Sequence, residues 1–275
     1  MSRVLVLGLS GQVGQALKPR LLARGVRLLA VTRQARPAEA GIEWLHAALP
    51  VLPALPADID TILSLGPLDA FADWFGKIAP AGVRVIALGS TSRQFKHDSP
   101  DPDEQVIAAR LIAAEQALFA HPEAAVTLLR PTLIYGAGRD RSLSPLIAFA
   151  RRWGWLVLPR NASGLRQPVH VDDIAEAVLR CLDRPGTAGK AYDLPGSEAL
   201  SFEAMVRRSL ERQAPGSRIW RIPSPMFGLL LRLGQATGRL PVNARGFLAR
   251  LQRDQSVDPG PIEADLDLVP RPFQP

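Results

Sequence analysis

The stretch RVLVLGLSGQVG at residues 3–14 decides the fold. Val4 to Leu7 is an unbroken apolar run that predicts a buried strand, and Gly8, Gly11 and Gly14 follow it with the spacing G-x-x-G-x-x-G. A helix from Gln12 to Arg24 is predicted to begin inside this loop. Glycines allow a tight turn and close approach to a pyrophosphate, which the N–H groups and dipole of a helix N-terminus then favour. The loop therefore predicts dinucleotide binding, and the alternative is a simple strand-to-helix turn.

The end of the second predicted strand, Val26 to Thr32, bears on which dinucleotide is bound. An acidic residue there accepts hydrogen bonds from the ribose hydroxyls of NAD, whereas an arginine accommodates the extra phosphate of NADP. This sequence has Arg33 directly after the strand, Arg36 close behind, and no acid before Glu39. We therefore expect NADP, with NAD as the alternative cofactor. If no dinucleotide binds, the two arginines are ordinary solvated side chains.

Apolar runs alternate with helical stretches through the first two thirds of the chain, which predicts a Rossmann-type, doubly wound parallel α/β sheet. A smaller, discontinuous C-terminal lobe is expected beside it. We place a dinucleotide-binding domain at 1–184, with 139–167 contributing to the lobe, and the rest of the substrate lobe at 185–275. The residues behind this expectation are predicted strands at 4–7, 26–32, 60–65, 83–88 and 126–129, a loop at 90–102, and helices at 12–24, 103–120, 201–213 and 226–233.

Composition excludes several classes of protein. The 275 residues carry Lys+Arg 33 against Asp+Glu 26, a net charge of +7, and only four of the basic residues are lysine. The arginines are scattered and are not interleaved with aromatic residues, so nucleic-acid binding is not expected. One cysteine, Cys181, excludes an intramolecular disulfide and a multi-cysteine metal site. No apolar run reaches the ~18 residues that span a bilayer, and we expect a cytoplasmic protein with no membrane partner and no metal.

Several blocks resemble the short-chain dehydrogenase/reductase superfamily, in the extended and atypical branch that contains NAD-dependent epimerase/dehydratase proteins. They are GLSGQVG, ILSLGP, VIALGSTS, LLRPTLIYGAG, GLRQPVHVDDIAEAV and the tail VDPGPIEADLDLVPRPF, and they extend over nearly the whole chain in the family's order. The resemblance implies that Ser10, Gln12 and Val13 of the glycine loop contact the dinucleotide with its glycines. It also implies that Leu65, Gly66 and Pro131 line the adenosine and nicotinamide stretches.

The proton relay of that family is missing. Its Tyr-x-x-x-Lys pair uses a lysine to lower the pKa of the tyrosine that exchanges a proton with the substrate. Neither Tyr135 nor Tyr192 is followed by lysine at that spacing. Aligning AAEQAL with the family's helix puts Ile107 at the tyrosine position and Leu111 at the lysine position, and both are apolar.

A group of hydroxyls after the 83–88 strand is the remaining candidate for chemistry. By resemblance Thr91 or Ser92 sits where the family polarises a substrate oxygen, although these residue types also favour ordinary turns. The proton is expected to come from water or from a substitute group such as Tyr135. Lys96 and His97 are further candidates, against the simpler interpretation that both are solvated.

Arg166 matches an arginine that contacts the substrate diphosphate in related epimerases, and guanidinium groups bind phosphate through paired hydrogen bonds. The alternative is a salt bridge or a solvated side chain. His170 is expected to brace the fold, Asp172 and Asp173 to cap the helix that follows, and Cys181 to lie in the core.

Two functions remain open. The first is an NADP(H)-binding oxidoreductase of the epimerase/dehydratase type, acting on a small substrate that includes phosphorylated or nucleotide-linked candidates. The second is a non-catalytic NADP(H)-binding redox sensor or accessory protein that has a protein partner. Both are compatible with a homodimer.

Overall fold

The computed structural model describes residues 3–78, 82–121, 124–140, 142–236 and 244–275. The strands in chain order are β1 Arg3–Leu7, β2 Arg27–Thr32, β3 Ile42–His46, β4 Ile59–Ser64, β5 Arg84–Leu88, β6 Ala125–Pro131, β7 Ile134–Tyr135, β8 Trp155–Pro159, β9 Leu165–Arg166, β10 Val169–His170, β11 Lys190–Leu194, β12 Leu200–Ser201 and β13 Arg218–Ile222. The helices are α1 Gln12–Ala23, α2 Leu68–Ile78, α3 Ser92–Phe95, α4 Pro102–Phe119, α5 Leu143–Trp153, α6 Val171–Asp183, α7 Phe202–Gln213, α8 Ser224–Ala236, α9 Ala244–Gln252 and α10 Gly260–Leu266.

The main sheet has seven parallel strands in the order β11-β6-β5-β4-β1-β2-β3. After β1 the chain adds β2 and β3 on one side of the sheet, and it then crosses back to β4 and adds the remaining strands on the other side. The topological switch, where the strand order reverses, therefore lies between β1 and β4. One face packs against α1 and α6 and the other against α2 and α4, each through its own buried apolar cluster. This confirms the predicted doubly wound sheet, and ligands of such sheets bind at the carboxyl edge of the switch.

A second lobe forms from separate stretches of the chain. The parallel pair β8 and β13 packs with α5, α7, α8 and α9 around a core that includes Leu156, Met205 and Phe227. The lobe is smaller and discontinuous, as predicted. The main sheet, however, runs past the predicted boundary at residue 184, because β11 pairs with β6.

Three local features differ from the sequence-based expectations. The edge strand β3 was not predicted, and the segment predicted as a loop at 90–102 contains the one-turn helix α3. The prediction that Asp172 caps α6 is wrong: Nδ1 of His170 accepts the N–H of Asp172 at 3.1 Å and caps the helix instead. Asp173 is buried and binds Arg271.

Cys181 lies fully buried in the core, as predicted, and burial raises the pKa of its thiol to about 12. Among the described helices none is both long enough and apolar enough to cross a membrane.

Candidate functional site

The glycine loop is packed too tightly for any other residue type at two of its positions. Gly8 has φ +87°, and a Cβ placed on it would lie 3.0 Å from the carbonyl carbon and oxygen of Leu65, beside the nitrogen of Gly66. A Cβ on Gly14 would lie 2.4 Å from the Leu9 carbonyl oxygen. The loop after β1 therefore lies directly against the loop after β4, on both sides of the switch point.

The N-terminus of α1 is left uncapped. Gly11 is its N-cap residue, no side chain accepts a hydrogen bond from its first turn, and that turn holds no acid. The side-chain oxygen of Gln12 is buried without a hydrogen-bond partner among the described residues. The free N–H groups of the first turn and the positive dipole end form a cradle that fits a pyrophosphate.

Beyond β2, Arg33 and Arg36 are exposed and form no ion pair within the described ranges. The turn itself is fixed, since the Arg33 carbonyl accepts a hydrogen bond from Nε2 of His46 at 3.0 Å. Glu39, the first acid after the strand, binds Lys18 at 2.7 Å. The guanidinium groups are thus the charges that a ribose or phosphate would meet at this strand end.

A cavity of about 670 Å³ lies between the carboxyl edge of the sheet and the second lobe. Its wall combines residues of the glycine loop, the α3 segment, the stretch after β6 and the lobe. They are Gln12, Ser90, Thr91, Ser92, Phe95, Lys96, Thr132, Leu133, Ile134, Arg139, Asp140, Ser142, Arg166, Gln167, Arg250 and Gln255. The structure therefore brings the predicted residues Thr91, Ser92 and Arg166 to one cavity that also reaches the start of α1.

The two hydroxyl candidates differ in their environment. Thr91 is buried, and its Oγ1 donates a hydrogen bond to the Pro131 carbonyl at 3.3 Å. This bond, together with the Thr91 N–H to the same carbonyl at 3.2 Å, ties the α3 segment to the end of β6. The Ser92 hydroxyl forms no hydrogen bond in the described part of the chain, so it is the freer of the two to meet a substrate oxygen.

Lys96 faces the same cavity. Burial lowers the pKa of its ammonium group, and the nearby charge of Arg250 lowers it further. The buried carboxylate of Glu104 contacts Arg250, accepts a 2.6 Å hydrogen bond from Ser99, and lies 4.0 Å from Lys96. His97, by contrast, is exposed and binds Asp98 at 2.8 Å.

The cavity wall carries more positive than negative charge. Lys96, Arg139, Arg166 and Arg250 line it with one carboxylate, Asp140. Asp140 is occupied by the backbone N–H groups that begin α5. This arrangement favours an anionic ligand.

Arg166 forms structural hydrogen bonds at the cavity wall. Its guanidinium donates to the carbonyls of Leu165 at 2.6 Å, Arg253 at 2.9 Å and Arg250 at 2.5 Å. Burial lowers the pKa of Arg166 to about 10. These bonds hold the end of α9 against β9, and they occupy most of the donors that the sequence assigned to a substrate phosphate.

Tyr135 does not line this cavity. Its ring is buried between His170 and Phe273, and its hydroxyl donates to the Pro272 carbonyl and accepts from the Gln274 N–H at 3.2 Å. Burial raises the pKa of this phenol. The predicted role of Tyr135 as proton donor finds no support in this placement.

Ile107 and Leu111, which the resemblance aligns with the tyrosine and lysine, lie on α4, and neither lines the cavity. The short helix α3 packs against α4 and places Phe95 and Lys96 in the wall. Sequence reasoning missed Arg139 and Arg250 because nothing near them in the chain marks them, whereas Lys96 was visible as a basic residue beside the hydroxyls.

A parallel doubly wound sheet, a glycine loop at its switch point and a cavity over its carboxyl edge define a Rossmann-type nucleotide-binding fold. Residues 78–194 match the model of the NAD dependent epimerase/dehydratase family. The match covers less than half of the chain.

Two curated relatives match part of the chain. It is 30% identical over 145 residues to NADH dehydrogenase [ubiquinone] 1 alpha subcomplex subunit 9, mitochondrial, of Arabidopsis thaliana, covering 52% of this chain and 33% of that protein. It is 31% identical over 131 residues to 2-alkyl-3-oxoalkanoate reductase of Stenotrophomonas maltophilia, covering 46% of this chain and 38% of that protein. The chain thus matches well under half the length of either relative.

Solved structures share the fold over almost the entire chain. MoeE5 in complex with UDP-glucuronic acid and NAD superposes with a TM-score of 0.71 at 18% identity, covering 99% of this chain and 95% of that one. WbmF of Bordetella bronchiseptica in complex with NADH gives a TM-score of 0.69 at 15% identity, with 98% and 87% coverage. At these identities the likeness concerns the fold.

Proposed function

We propose that this protein is an NADP(H)-binding oxidoreductase with an atypical site, acting on an anionic small molecule. The observation that carries the proposal is that the glycine-loop site and the cavity are continuous. Gln12 lies in the first turn of α1 and also lines the cavity that holds Ser92 and Lys96. A dinucleotide cradled by Gly8, Gly11 and Gly14 would extend toward that cavity past Pro131.

The nicotinamide group would supply or accept a hydride when bound. Ser92, with Thr91 behind it, would orient the substrate oxygen. Lys96 would hold the proton that the missing tyrosine holds in the family, because its lowered pKa eases proton release. Arg139 and Arg250 would attract the substrate's negative charge. The bound UDP-glucuronic acid of MoeE5 supports a phosphorylated or nucleotide-linked substrate.

A second candidate is a non-catalytic NADP(H)-binding subunit or redox sensor. The observation that favours it is in the sequence: neither Tyr135 nor Tyr192 is followed by lysine at the Tyr-x-x-x-Lys spacing. A relative named as a subunit of NADH dehydrogenase supports a protein complex as the partner in this case.

Thermal unfolding with NADP⁺, NADPH, NAD⁺ and NADH tests the binding that both candidates share. A ligand at about 100 times its dissociation constant stabilises by ~2.7 kcal/mol, which is a shift of about 5 °C or more for a chain of this size. We expect a larger shift with NADP⁺ and NADPH than with NAD⁺ and NADH. No shift with any of the four would overturn both candidates.

Turnover then separates the two candidates. NADPH oxidation is followed with a panel of carbonyl compounds and nucleotide sugars, using wild type, Lys96→Met and the control Lys77→Met on an exposed helix end. The oxidoreductase requires turnover in wild type and in Lys77→Met, and its loss in Lys96→Met with the dinucleotide shift retained. A wild-type shift without turnover on any substrate would instead establish the non-catalytic candidate.

A further inference from the structure

Helix α8 presents a row of large apolar side chains to solvent. Met226 is 58% exposed, Leu229 59%, Leu230 50% and Leu233 58%. Spacings of three and four residues put these side chains on one side of the helix. The opposite side buries Phe227 and Leu231 in the lobe core, so α8 is fixed in place by one apolar side and leaves a second uncovered.

Exposed tryptophans lie on the strands beside this helix. Trp155 begins β8 and pairs with Arg218 of β13, and Trp220 is two residues further along β13. Because strand side chains alternate, Trp155 and Trp220 point to the same side of the pair. Trp220 is 60% exposed, and Trp153, at the end of α5, is 55% exposed. Helix α8 follows β13 directly and contacts β8. We call the exposed apolar side chains of these neighbouring elements the Trp–Leu face: Trp153, Trp155, Trp220, Met226, Leu229, Leu230 and Leu233.

The chain segments that carry the Trp–Leu face contain no acidic residues. Segments 141–171 and 212–253 contain five and eight arginines and no Asp or Glu. The exposed Arg152 lies over the ring of Trp153, with its guanidinium carbon 5.4 Å from the ring centroid. Arg218 and Arg232 are exposed and make no ion pair with any described residue. The surface is therefore both apolar and positively charged.

We propose that the Trp–Leu face docks on an anionic phospholipid surface. A helix lying in the membrane interface buries an apolar side among acyl chains and holds its basic residues at the headgroups. Tryptophan favours the same depth, because its ring is apolar and its N–H needs a polar partner. Arginine completes the match through its hydrogen bonds to lipid phosphates.

Other occupants fit this surface less well. A second copy of the chain would bring together two surfaces built largely from arginine-rich segments without acids, and these would repel. A nucleic acid would neutralise the arginines but leave the leucines of α8 uncovered. The inference departs from the expectation that no membrane is a partner, because the apolar stretch 226–233 does not reveal from sequence which of its sides stays exposed.

Sedimentation with vesicles tests the proposal on the full chain. Vesicles of phosphatidylcholine with phosphatidylglycerol are compared with vesicles of phosphatidylcholine alone, at low and high salt. We expect binding to the anionic vesicles, weakened by salt, with a blue shift of tryptophan emission. Quenching of that emission by lipids with brominated acyl chains needs no variant, and it should report the tryptophans at the interface.

Paired substitutions locate the contact. Leu229→Gln with Leu233→Gln should weaken anionic-vesicle binding at least tenfold. The control pair Val51→Gln with Val269→Gln replaces two apolar residues elsewhere that are more exposed than the leucines, and it should leave binding unchanged. Both pairs should keep the thermal shift with dinucleotide, which makes this test independent of the proposed enzymatic function.

Three outcomes would overturn the proposal. The first is no association with either kind of vesicle, or equal association with both. The second is self-association that the leucine pair abolishes, with no vesicle binding, which would assign the face to a second copy. The third is tighter binding to duplex DNA than to anionic vesicles, with no effect of the leucine pair.

Discussion

The carboxylate of Glu115 accepts hydrogen bonds from Nε and Nη2 of Arg130 at 3.1 and 2.6 Å. Glu115 is 3% exposed, and Nε of Arg93 lies 3.0 Å from the same carboxylate. One buried acid on α4 thus joins β6 to α3, the two elements that hold Pro131 and Ser92. This charge therefore connects two elements that lie at the cavity.

Glu115→Gln should lower the free energy of unfolding by about 3 kcal/mol, because it leaves two arginines facing a neutral group in a buried place. The control Asp73→Asn breaks the exposed pair with Lys77 and should change the free energy by no more than about 0.5 kcal/mol. Urea unfolding measures both. Equal effects would mean that the buried pair contributes no more than an exposed one.

Gly14→Ala should destabilise the fold by about 1–3 kcal/mol, since the new methyl group would overlap the Leu9 and Gly8 carbonyl oxygens. The thermal shift with dinucleotide should disappear with it. The control Gly76→Ala adds a methyl group in open space on an exposed part of α2, and should stabilise by about 0.5–1 kcal/mol while keeping the shift. A dinucleotide shift that survives in Gly14→Ala would place the cofactor elsewhere.

Arg33→Ser should weaken NADPH binding by about tenfold or more, because a hydrogen-bonded charge pair with the extra phosphate is lost. NADH binding should not change. Arg27→Ser removes another exposed arginine from the opposite end of β2 and should affect neither ligand. Calorimetric titration of wild type and both variants gives the six dissociation constants, and a matching loss for NADPH and NADH in Arg33→Ser would refute phosphate recognition by Arg33.

The environment of His170 should make the free energy of unfolding depend on pH. Burial, followed by the charge of Arg271, lowers the pKa of its ring below the ordinary 6.5. The unfolded chain therefore takes up this proton first as the pH falls, and the free energy of unfolding decreases below about pH 6.5 until the folded ring also titrates.

His170→Asn keeps a capping side chain but removes the titration. Between about pH 7 and about pH 5 its stability should fall less steeply than that of wild type. His97→Asn, which alters an exposed side chain, should retain the wild-type slope. Parallel slopes for wild type and His170→Asn would exclude His170 as the source.

Much of the sheet could be predicted because its signals are local. β1, the glycine loop and α1 follow one another within a few residues, and an apolar run that leads directly into three evenly spaced glycines is typical of a strand, a tight turn and a helix. β3 escaped prediction because it is an edge strand with its Glu43 side chain exposed, so its pattern is not uniformly apolar. The cap of α6 was misassigned since an imidazole nitrogen takes the place that a carboxylate more often fills.

The site was only partly predictable, because its residues meet through long-range contacts. Ser92 and Lys96 could be found from the hydroxyl-rich segment after β5. Two of the three carbonyl partners of Arg166 lie 84 and 87 residues further along the chain, on a segment with no motif of its own. The placement of Tyr135 against Pro272 is likewise a contact between distant segments.

The last few described residues join both halves of the molecule, and this bears on when folding can finish during synthesis. Asp173 of the sheet domain takes both its hydrogen bonds from Arg271. Glu198 accepts a hydrogen bond from the N–H of Phe273, and the Phe273 ring packs in the lobe core. A nascent chain that has not yet released residues 271–274 from the ribosome holds a buried carboxylate without its cation and a lobe without its closing aromatic ring. The two halves therefore reach their final arrangement only after translation has passed this segment.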